Sequence, residues 1–266
     1  MKATCFACAE QVEGNDADAV ARAFVAHGME KHSWSYPESA VRQYAINFAE
    51  AGERLSGSTE RLPVCGAISI HPVTEDRVDD WLHFFDHDGF AGNPSWASCY
   101  CLEPHVPATK EQPERPWRES RAAVSARLRN RATFGYLAYV DGRGAGWVNA
   151  SLRSDYGQFH DVDPDGPNAR SVIGIGCFLV APPYRRHGMA SLLLDRVIAD
   201  AASRGAQWVE GYPHNTPEES DAGHFRGTRG MYEARGFHQV ETRERYTVMR
   251  RQVAPVGSED LPQRQV

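Results

Sequence analysis

The spacing of hydrophobic residues changes near residue 66. Before that point, apolar residues recur three to four positions apart, the spacing of helices that bury one face. A first helix is predicted from Asp16 to His27, with Asn15 or Asp16 as its N-cap and Gly28 as its stop. A second helix is predicted over residues 38–55. The polar stretch SGSTERLPVCG that follows predicts a linker, because its hydrophobic residues show no periodic spacing and it contains Gly and Pro.

Beyond the linker, short apolar runs typical of strands alternate with helical patterns. The predicted elements are a strand over 67–73, helices over 74–87 and 117–131, a hairpin over 134–153, a buried strand over 171–183, a helix over 188–205, a strand over 206–213, a helix over 224–236 and two antiparallel strands over 237–253. Asp141-Gly142 predicts the hairpin turn, because this pair accepts positive φ angles. The order predicts an α/β fold with a mixed sheet.

These patterns predict four parts. We expect a small module over residues 1–58, called the N-terminal segment below, a linker over 59–66, a main domain over 67–253 and a disordered tail over 254–266. A unit of about 50 residues has little core of its own, so a bound metal or another crosslink would stabilise the N-terminal segment.

Composition excludes several classes of protein. The chain is 41% hydrophobic and 24% charged, and no apolar run approaches the ~18 residues of a membrane span. The N-terminus has no apolar signal region, so we expect a cytoplasmic protein with no membrane partner. The net charge of −6 argues against nucleic acid as a partner, because phosphate binding needs clustered Lys and Arg. The six cysteines are too sparse for a disulfide scaffold, so we expect them to stay reduced.

The segment FLVAPPYRRHGMASLL carries the clearest chemistry. It runs from a strand through a proline turn into a basic, glycine-containing loop that opens a helix. A helix N-terminus presents unpaired N–H groups and a partial positive charge, and therefore suits an anion. Gly188 lets the backbone approach a phosphate, and Arg185 and Arg186 add charge.

Two motifs in this part of the chain resemble those of the GNAT superfamily of acyl-CoA N-acyltransferases. VAPPYRRHGMASLLL is similar to the family's pyrophosphate-binding motif, and GMYEARGF to its downstream signature. The specific residues lie mainly in 173–237, and the element order agrees over 67–253. The resemblance implies a GNAT-type fold and acetyl-CoA as cosubstrate. It implies pantetheine contacts from the backbone of Phe178 and Val180, and amides turned toward the pyrophosphate by Arg186, His187, Gly188, Met189 and Ala190.

The resemblance also implies a catalytic acid. Tyr232 falls where the family often has the residue that protonates the departing CoA thiolate. The strand IGIGCFLV carries no Glu, the position from which the base often comes. Glu210 and His214 are the nearest alternatives; both could equally be structural, and some enzymes of this type use no dedicated base.

The sequence indicates less about how the acceptor is bound. NPSWASCYCLEPH, residues 93–105 and called the acceptor loop below, could hold a metal fragment or a reactive thiol, but packing around Trp96 and Tyr100 is favoured. Two loops are acidic and would attract a cationic amine, although both could simply be solvated. Their acids are Asp161, Asp163 and Asp165 in one loop and Glu218, Glu219 and Asp221 in the other.

The N-terminal segment contains a C-x-x-C followed by H-x-x-x-x-H. Cys5, Cys8, His27 and His32 are ligand types that zinc prefers, and the segment resembles small bacterial metal-binding domains. A redox pair and a metal-free helical hairpin are alternatives, whereas a DNA-reading finger disagrees with the acidic charge. Structural zinc is the favoured interpretation.

The sequence therefore predicts an N-acetyltransferase that moves an acetyl group from acetyl-CoA directly to a primary amine of a small molecule or a protein. The alternative is a non-catalytic CoA-binding sensor or adaptor whose zinc module recruits a protein. The acceptor and the oligomeric state are not specified by the sequence.

Overall fold

The computed structural model describes residues 1–5, 8, 10–33, 38–107, 114–216 and 220–253. The predicted tail lies outside these residues, as do residues 6, 7, 9, 34–37, 108–113 and 217–219. The helices are α1 (Ala17–His32), α2 (Glu38–Arg54), α3 (Val78–His83), α4 (Trp117–Arg129), α5 (Met189–Ala201) and α6 (Arg229–Glu233). The strands are β1 (Lys2–Thr4), β2 (Gln11–Glu13), β3 (Ile68–Pro72), β4 (Gly135–Val140), β5 (Arg143–Asn149), β6 (Val172–Ile175), β7 (Cys177–Val180), β8 (Trp208–Gly211), β9 (His238–Thr242) and β10 (Thr247–Gln252).

The main domain is a mixed α/β structure with two four-stranded sheets, ordered β3-β4-β5-β7 and β6-β8-β10-β9. The single strand predicted over 171–183 divides at Gly176. Its first part, β6, pairs parallel with β8, and its second part, β7, pairs antiparallel with β5. Because the partner changes at this point, β7 and β8 diverge and leave an opening between the sheets.

The β4–β5 hairpin is buried on both faces, and alternate residues enter different cores. Tyr136 and Ala138 pack with Leu193 and Val197 of α5. On the opposite face, the side chain of Leu137 joins a cluster that contains aromatic residues of α3 and the turn after it. At the hairpin tip, Asp141 (φ 50°) and Gly142 (φ 82°) both have positive φ, so the turn predicted from Asp-Gly is confirmed.

The N-terminal segment combines the β1–β2 ribbon with α1 and α2 around a small core. Val20 and Phe24 of α1 meet Val41 and Ala45 of α2. The Asp16 side chain caps α1 by accepting from the Ala19 N–H at 2.7 Å. The far end of α2 packs on the main domain, because Ala51 belongs to the same apolar cluster as α3 and α4.

Two of the helix predictions are wrong. The helix α1 passes through Gly28 and stops at Ser33, which adopts the left-handed backbone (φ 54°) and closes the helix by bonding to the Gly28 carbonyl. The helix predicted over 224–236 is interrupted at Gly227, which has a φ of 77°, so only α6 remains as an α-helix. No helix in the described part of the chain is long and apolar enough to cross a membrane.

Candidate functional site

A cavity of about 690 Å³ lies in the opening beside β7. Its walls come from β7, the loop and first turn of α5, the acceptor loop, Glu114 and residues 221–228. The division of the strand at Gly176 therefore positions the candidate site.

One edge of β7 faces away from β5. The Ala181 N–H donates to the Ala145 carbonyl at 3.0 Å, and hydrogen-bonded residues alternate along an antiparallel pair. Leu179 consequently pairs with β5, whereas the backbone groups of Phe178 and Val180 lie on the opposite edge. The Val180 carbonyl accepts from Arg185 Nε at 2.9 Å, which leaves the two N–H groups and the Phe178 carbonyl for an extended ligand.

The loop before α5 has the geometry of an anion site. The first backbone bond of α5 runs from Leu192 N–H to the Gly188 carbonyl, so the N–H groups of residues 189–191 have no helical acceptor. Arg186 (φ 68°) and Gly188 (φ 77°) are both left-handed, an alternation that turns successive N–H groups toward one point. Nothing stands within 4 Å of the Cβ position of Gly188.

Of the eight residues predicted to bind the cofactor, seven line this cavity, and His187 does not. These seven are Phe178, Val180, Arg185, Arg186, Gly188, Met189 and Ala190. His187 Nε2 instead donates to the Leu62 carbonyl at 2.9 Å, and the Leu62 N–H donates to the Pro183 carbonyl at 2.9 Å. The predicted linker is thus fastened to the loop.

Tyr232 is fully buried and is not among the cavity-lining residues. Its hydroxyl donates to the Arg226 carbonyl at 2.8 Å, and burial raises the pKa of the phenol well above its usual value. Two glycines make room for the ring. A Cβ on Gly211 would lie 2.2 Å from it, and one on Gly227 would lie 3.0 Å from Tyr232 and 3.2 Å from Phe178.

Glu210 lies on β8, also outside the lining of the cavity. Its side chain is completely buried and accepts hydrogen bonds from Arg153 Nη1 at 3.0 Å, Arg250 Nε at 2.7 Å and the Tyr212 hydroxyl at 3.0 Å. A carboxylate held by two buried guanidinium groups has the environment of a structural ion pair. The ring of His214 contacts that of Phe225 edge to face, with ring centroids 5.2 Å apart.

The acceptor loop contributes cysteines to the cavity wall. Burial raises the pKa of Cys99 to about 11, so its thiol is protonated at neutral pH and is a poor nucleophile. The expectation that all six cysteines stay reduced is wrong for two of them, because Cys101 and Cys177 form a disulfide. The loop and the start of β7 bring their Cα atoms to 7.0 Å, a proximity between residues 76 positions apart that no local pattern indicates.

Three acids of the two acidic loops, Asp161, Asp163 and Asp221, pair with arginines. Asp161 pairs with Arg243 at 3.0 Å and Asp163 with Arg250 at 2.8 Å, and neither acid lines the cavity. Asp221 does line it, whereas Glu218 and Glu219 lie outside the described residues. Sequence reasoning missed Glu114 and Phe225, which belong to the wall but to no motif.

The four predicted metal ligands of the N-terminal segment come together. Cys5 Sγ is 3.4 Å from His32 Nε2 and Cys8 Sγ is 3.3 Å from His27 Nε2. One ligand atom from each residue lies within 4.8 Å of all the others, so a single ion could contact the four atoms. Two thiolates and two imidazoles are a donor set that fits tetrahedral zinc.

The chain matches one family profile and aligns with several solved structures. The sequence profile described as the acetyltransferase (GNAT) family matches residues 96–237. An acetyltransferase of that family from Streptococcus pneumoniae aligns at 15% identity over 71% of this chain and 100% of its own, with a TM-score of 0.41. The ribosomal-protein-S18-alanine N-acetyltransferase of Escherichia coli aligns at 15% identity over 73% and 99%, with a TM-score of 0.40.

A third solved structure is an N-acetyltransferase from Thermoplasma acidophilum in complex with coenzyme A. It aligns at 13% identity over 70% of this chain and 99% of its own, with a TM-score of 0.43. No curated protein matches the chain.

Proposed function

Because the chain belongs to the acetyltransferase (GNAT) family, we propose that it transfers an acetyl group from acetyl-CoA directly to a primary amine. The observation that carries this proposal is the cavity, which joins an open strand edge to the N-terminus of α5. Backbone N–H groups at the start of α5 would bind the pyrophosphate, with Arg185 and Arg186 nearby. Phe178 and Val180 would pair with the pantetheine amides.

The reaction balances without a covalent enzyme intermediate. The neutral amine attacks the acetyl carbonyl, the carbon–sulfur bond breaks, the nitrogen loses a proton and the sulfur gains one. The high pKa of Cys99 favours this direct transfer over a route through an acetylated cysteine. Holding both reactants in one cavity supplies much of the rate by proximity.

Tyr232 is our proposed donor to the departing thiolate. Its ring and that of Phe178, which lines the cavity, both lie beside Gly227, so the hydroxyl is buried behind the cavity wall. Donation requires the hydroxyl to leave the Arg226 carbonyl and to reach the cavity when acetyl-CoA is bound. Burial raises the pKa of the phenol, so it stays protonated at neutral pH but is a weak acid. It would therefore stabilise the departing thiolate as a hydrogen-bond donor, and the sulfur would take its proton from the solvent.

We propose that Glu210 is structural and that the amine releases its proton through water. The carboxylate is enclosed by Arg153, Arg250 and Tyr212 and lines no part of the cavity. An alternative role as catalytic base would require it to accept a proton while held by two positive charges, which oppose protonation.

We further propose that Cys5, Cys8, His27 and His32 bind structural zinc. The cluster joins the β1–β2 ribbon to α1, and the small core of this segment would gain stability from such a staple. Metal content by mass spectrometry tests this proposal. We expect about one zinc per chain, and a loss of metal in Cys8→Ser but not in Cys65→Ser, a cysteine outside the cluster. A fully folded, metal-free wild type would contradict it.

The acetyl transfer is tested by calorimetric binding of acetyl-CoA and by thiol release with a panel of amines. Arg186→Glu should weaken acetyl-CoA binding at least tenfold, because it replaces a cation by an anion at the pyrophosphate position. Arg170→Glu, an exposed arginine outside the cavity lining, is the matched control and should change little. Binding of acetyl-CoA with no transfer to any amine would favour the alternative of a non-catalytic sensor.

A further inference from the structure

Among the residues that the structure describes, three carboxylates line the cavity, and two of them are paired with arginine. Asp221 Oδ1 lies 3.6 Å from Arg186 Nη1, and Glu103 Oε1 lies 3.7 Å from Arg226 Nη2. Each of these two carboxylates therefore has a cationic partner. The third carboxylate, Glu114, has different surroundings.

The described groups that hold Glu114 in place are neutral. Its Oε1 accepts from the Ser98 hydroxyl at 2.7 Å and from Asn47 Nδ2 at 2.8 Å. In the part of the chain that the structure describes, no cationic side chain forms an ion pair with this carboxylate. A charge in a partly enclosed cavity is screened less than one on the surface, so Glu114 attracts a cation.

Asn47 fixes this arrangement from the N-terminal segment. Its side chain is 5% exposed, and Nδ2 also donates to the Arg115 carbonyl at 2.8 Å. The Oδ1 atom accepts from the Trp117 N–H at 3.1 Å and from Gln43 Nε2 at 3.1 Å. Both donors and both acceptor positions of the amide are therefore used, which sets its orientation and directs Nδ2 to Glu114.

The wall of the same cavity contains aromatic rings. Trp96 remains 39% exposed and meets Phe225 edge to face, with ring centroids 5.8 Å apart. Both rings line the cavity, together with Ser98. An aliphatic chain fits such a wall, and an ammonium group is also attracted by aromatic faces.

We propose that the acceptor carries a second positive charge besides the reacting amine, that Glu114 binds this charge, and that Asn47 positions Glu114. The acceptor class is thus an aliphatic diamine or a comparable dicationic amine. This proposal rests on the proposed acetyl transfer. Glu114 determines specificity, and Asn47 is a positioning residue that acts through it.

The test compares cadaverine with pentylamine, which share a carbon chain and differ by one cation. We expect the wild type to prefer cadaverine in kcat/KM by about ten- to a hundredfold, the range of a hydrogen bond to a charged group. Glu114→Gln should raise the KM for cadaverine and bring the kcat/KM values of the two amines close together. Glu119→Gln, the same change at an exposed position of α4, should retain the preference.

Asn47→Asp tests the positioning role, because it keeps the acceptor for Trp117 and replaces the donor by a charge that repels Glu114. It should raise the KM for cadaverine alone, and it should add nothing in the Glu114→Gln background. If Glu114→Gln keeps the preference for cadaverine, the proposal is overturned. An equal loss of kcat for both amines in this variant would also overturn it, because Glu114 would then act as a catalytic base. Efficient transfer to amines with no preference for cadaverine would overturn this inference alone, whereas bound acetyl-CoA with no transfer to any amine would overturn the proposed function as well.

Discussion

Replacement of Glu210 by Gln separates a structural carboxylate from a catalytic base. The side chain is 0% exposed, Arg153 is 3% exposed and Arg250 is 7% exposed, so the three groups share one buried site. Gln removes the negative charge and places an N–H₂ group where two guanidinium groups donate. Removing one partner of a buried ion pair lowers the free energy of unfolding by about 3–5 kcal/mol.

For a chain of this size, 1 kcal/mol moves the melting temperature by roughly 2–4 °C. We therefore expect Glu210→Gln to lower the Tm by about 6–20 °C in calorimetry. At temperatures where the variant is folded, kcat for acetyl transfer should stay within about threefold of the wild type, because the proposed reaction routes no proton through this carboxylate.

Glu233→Gln is the matched control. The Glu233 side chain on α6 is 50% exposed and pairs with Arg229 at 2.7 Å, so its replacement should lower the free energy of unfolding by less than about 1 kcal/mol. An unchanged Tm together with a loss of kcat of a hundredfold or more in Glu210→Gln would refute the structural role and restore Glu210 as the base.

The remaining predictions concern the cofactor, the thiols and the metal. Tyr232→Phe should lower kcat about ten- to a hundredfold in the thiol-release assay, because a donor to a developing charge is lost; an unchanged kcat would remove Tyr232 from the reaction. Gly188→Ala and Gly142→Ala should each cost about 1–2 kcal/mol of unfolding free energy through left-handed strain, but only the former should raise the KM for acetyl-CoA. In denaturant with a chelator, four cysteines should be alkylated without reductant and six with it. The Cys101–Cys177 bond joins residues 76 positions apart, so its reduction should lower the free energy of unfolding by about 4 kcal/mol. An equal number of alkylated cysteines with and without reductant would contradict the bond. Removal of metal should raise the KM for cadaverine and leave acetyl-CoA binding unchanged in calorimetry.

The cofactor side of the cavity could be predicted because its information is local. One continuous segment, residues 178–190, supplies the strand edge, the loop and the first turn of α5. Each feature follows from the residue types in order: an apolar strand, a proline turn, a glycine with positive φ and a helix start.

The acceptor side could not be predicted in the same way. Asn47 and Glu114 are 67 residues apart and belong to segments that the sequence pattern separates by a linker. Their contact depends on how α2 packs against the main domain, and neither residue belongs to a motif. The strand break at Gly176 was missed for a related reason, because an uninterrupted apolar run does not show where a strand changes its partner.

The same packing connects the metal cluster to the cavity. Thr4 directly precedes Cys5, and its carbonyl accepts a hydrogen bond from the Tyr44 hydroxyl at 3.0 Å. Tyr44 lies one turn before Asn47 on α2, so the ribbon that holds Cys5 also orients the face of the helix that directs Nδ2 to Glu114. A change at the cluster would move the carboxylate that selects the acceptor, whereas α5 and its loop belong to a separate core around β4 and β5. On this reasoning the N-terminal segment forms part of the acceptor site, and binding of acetyl-CoA should be independent of it.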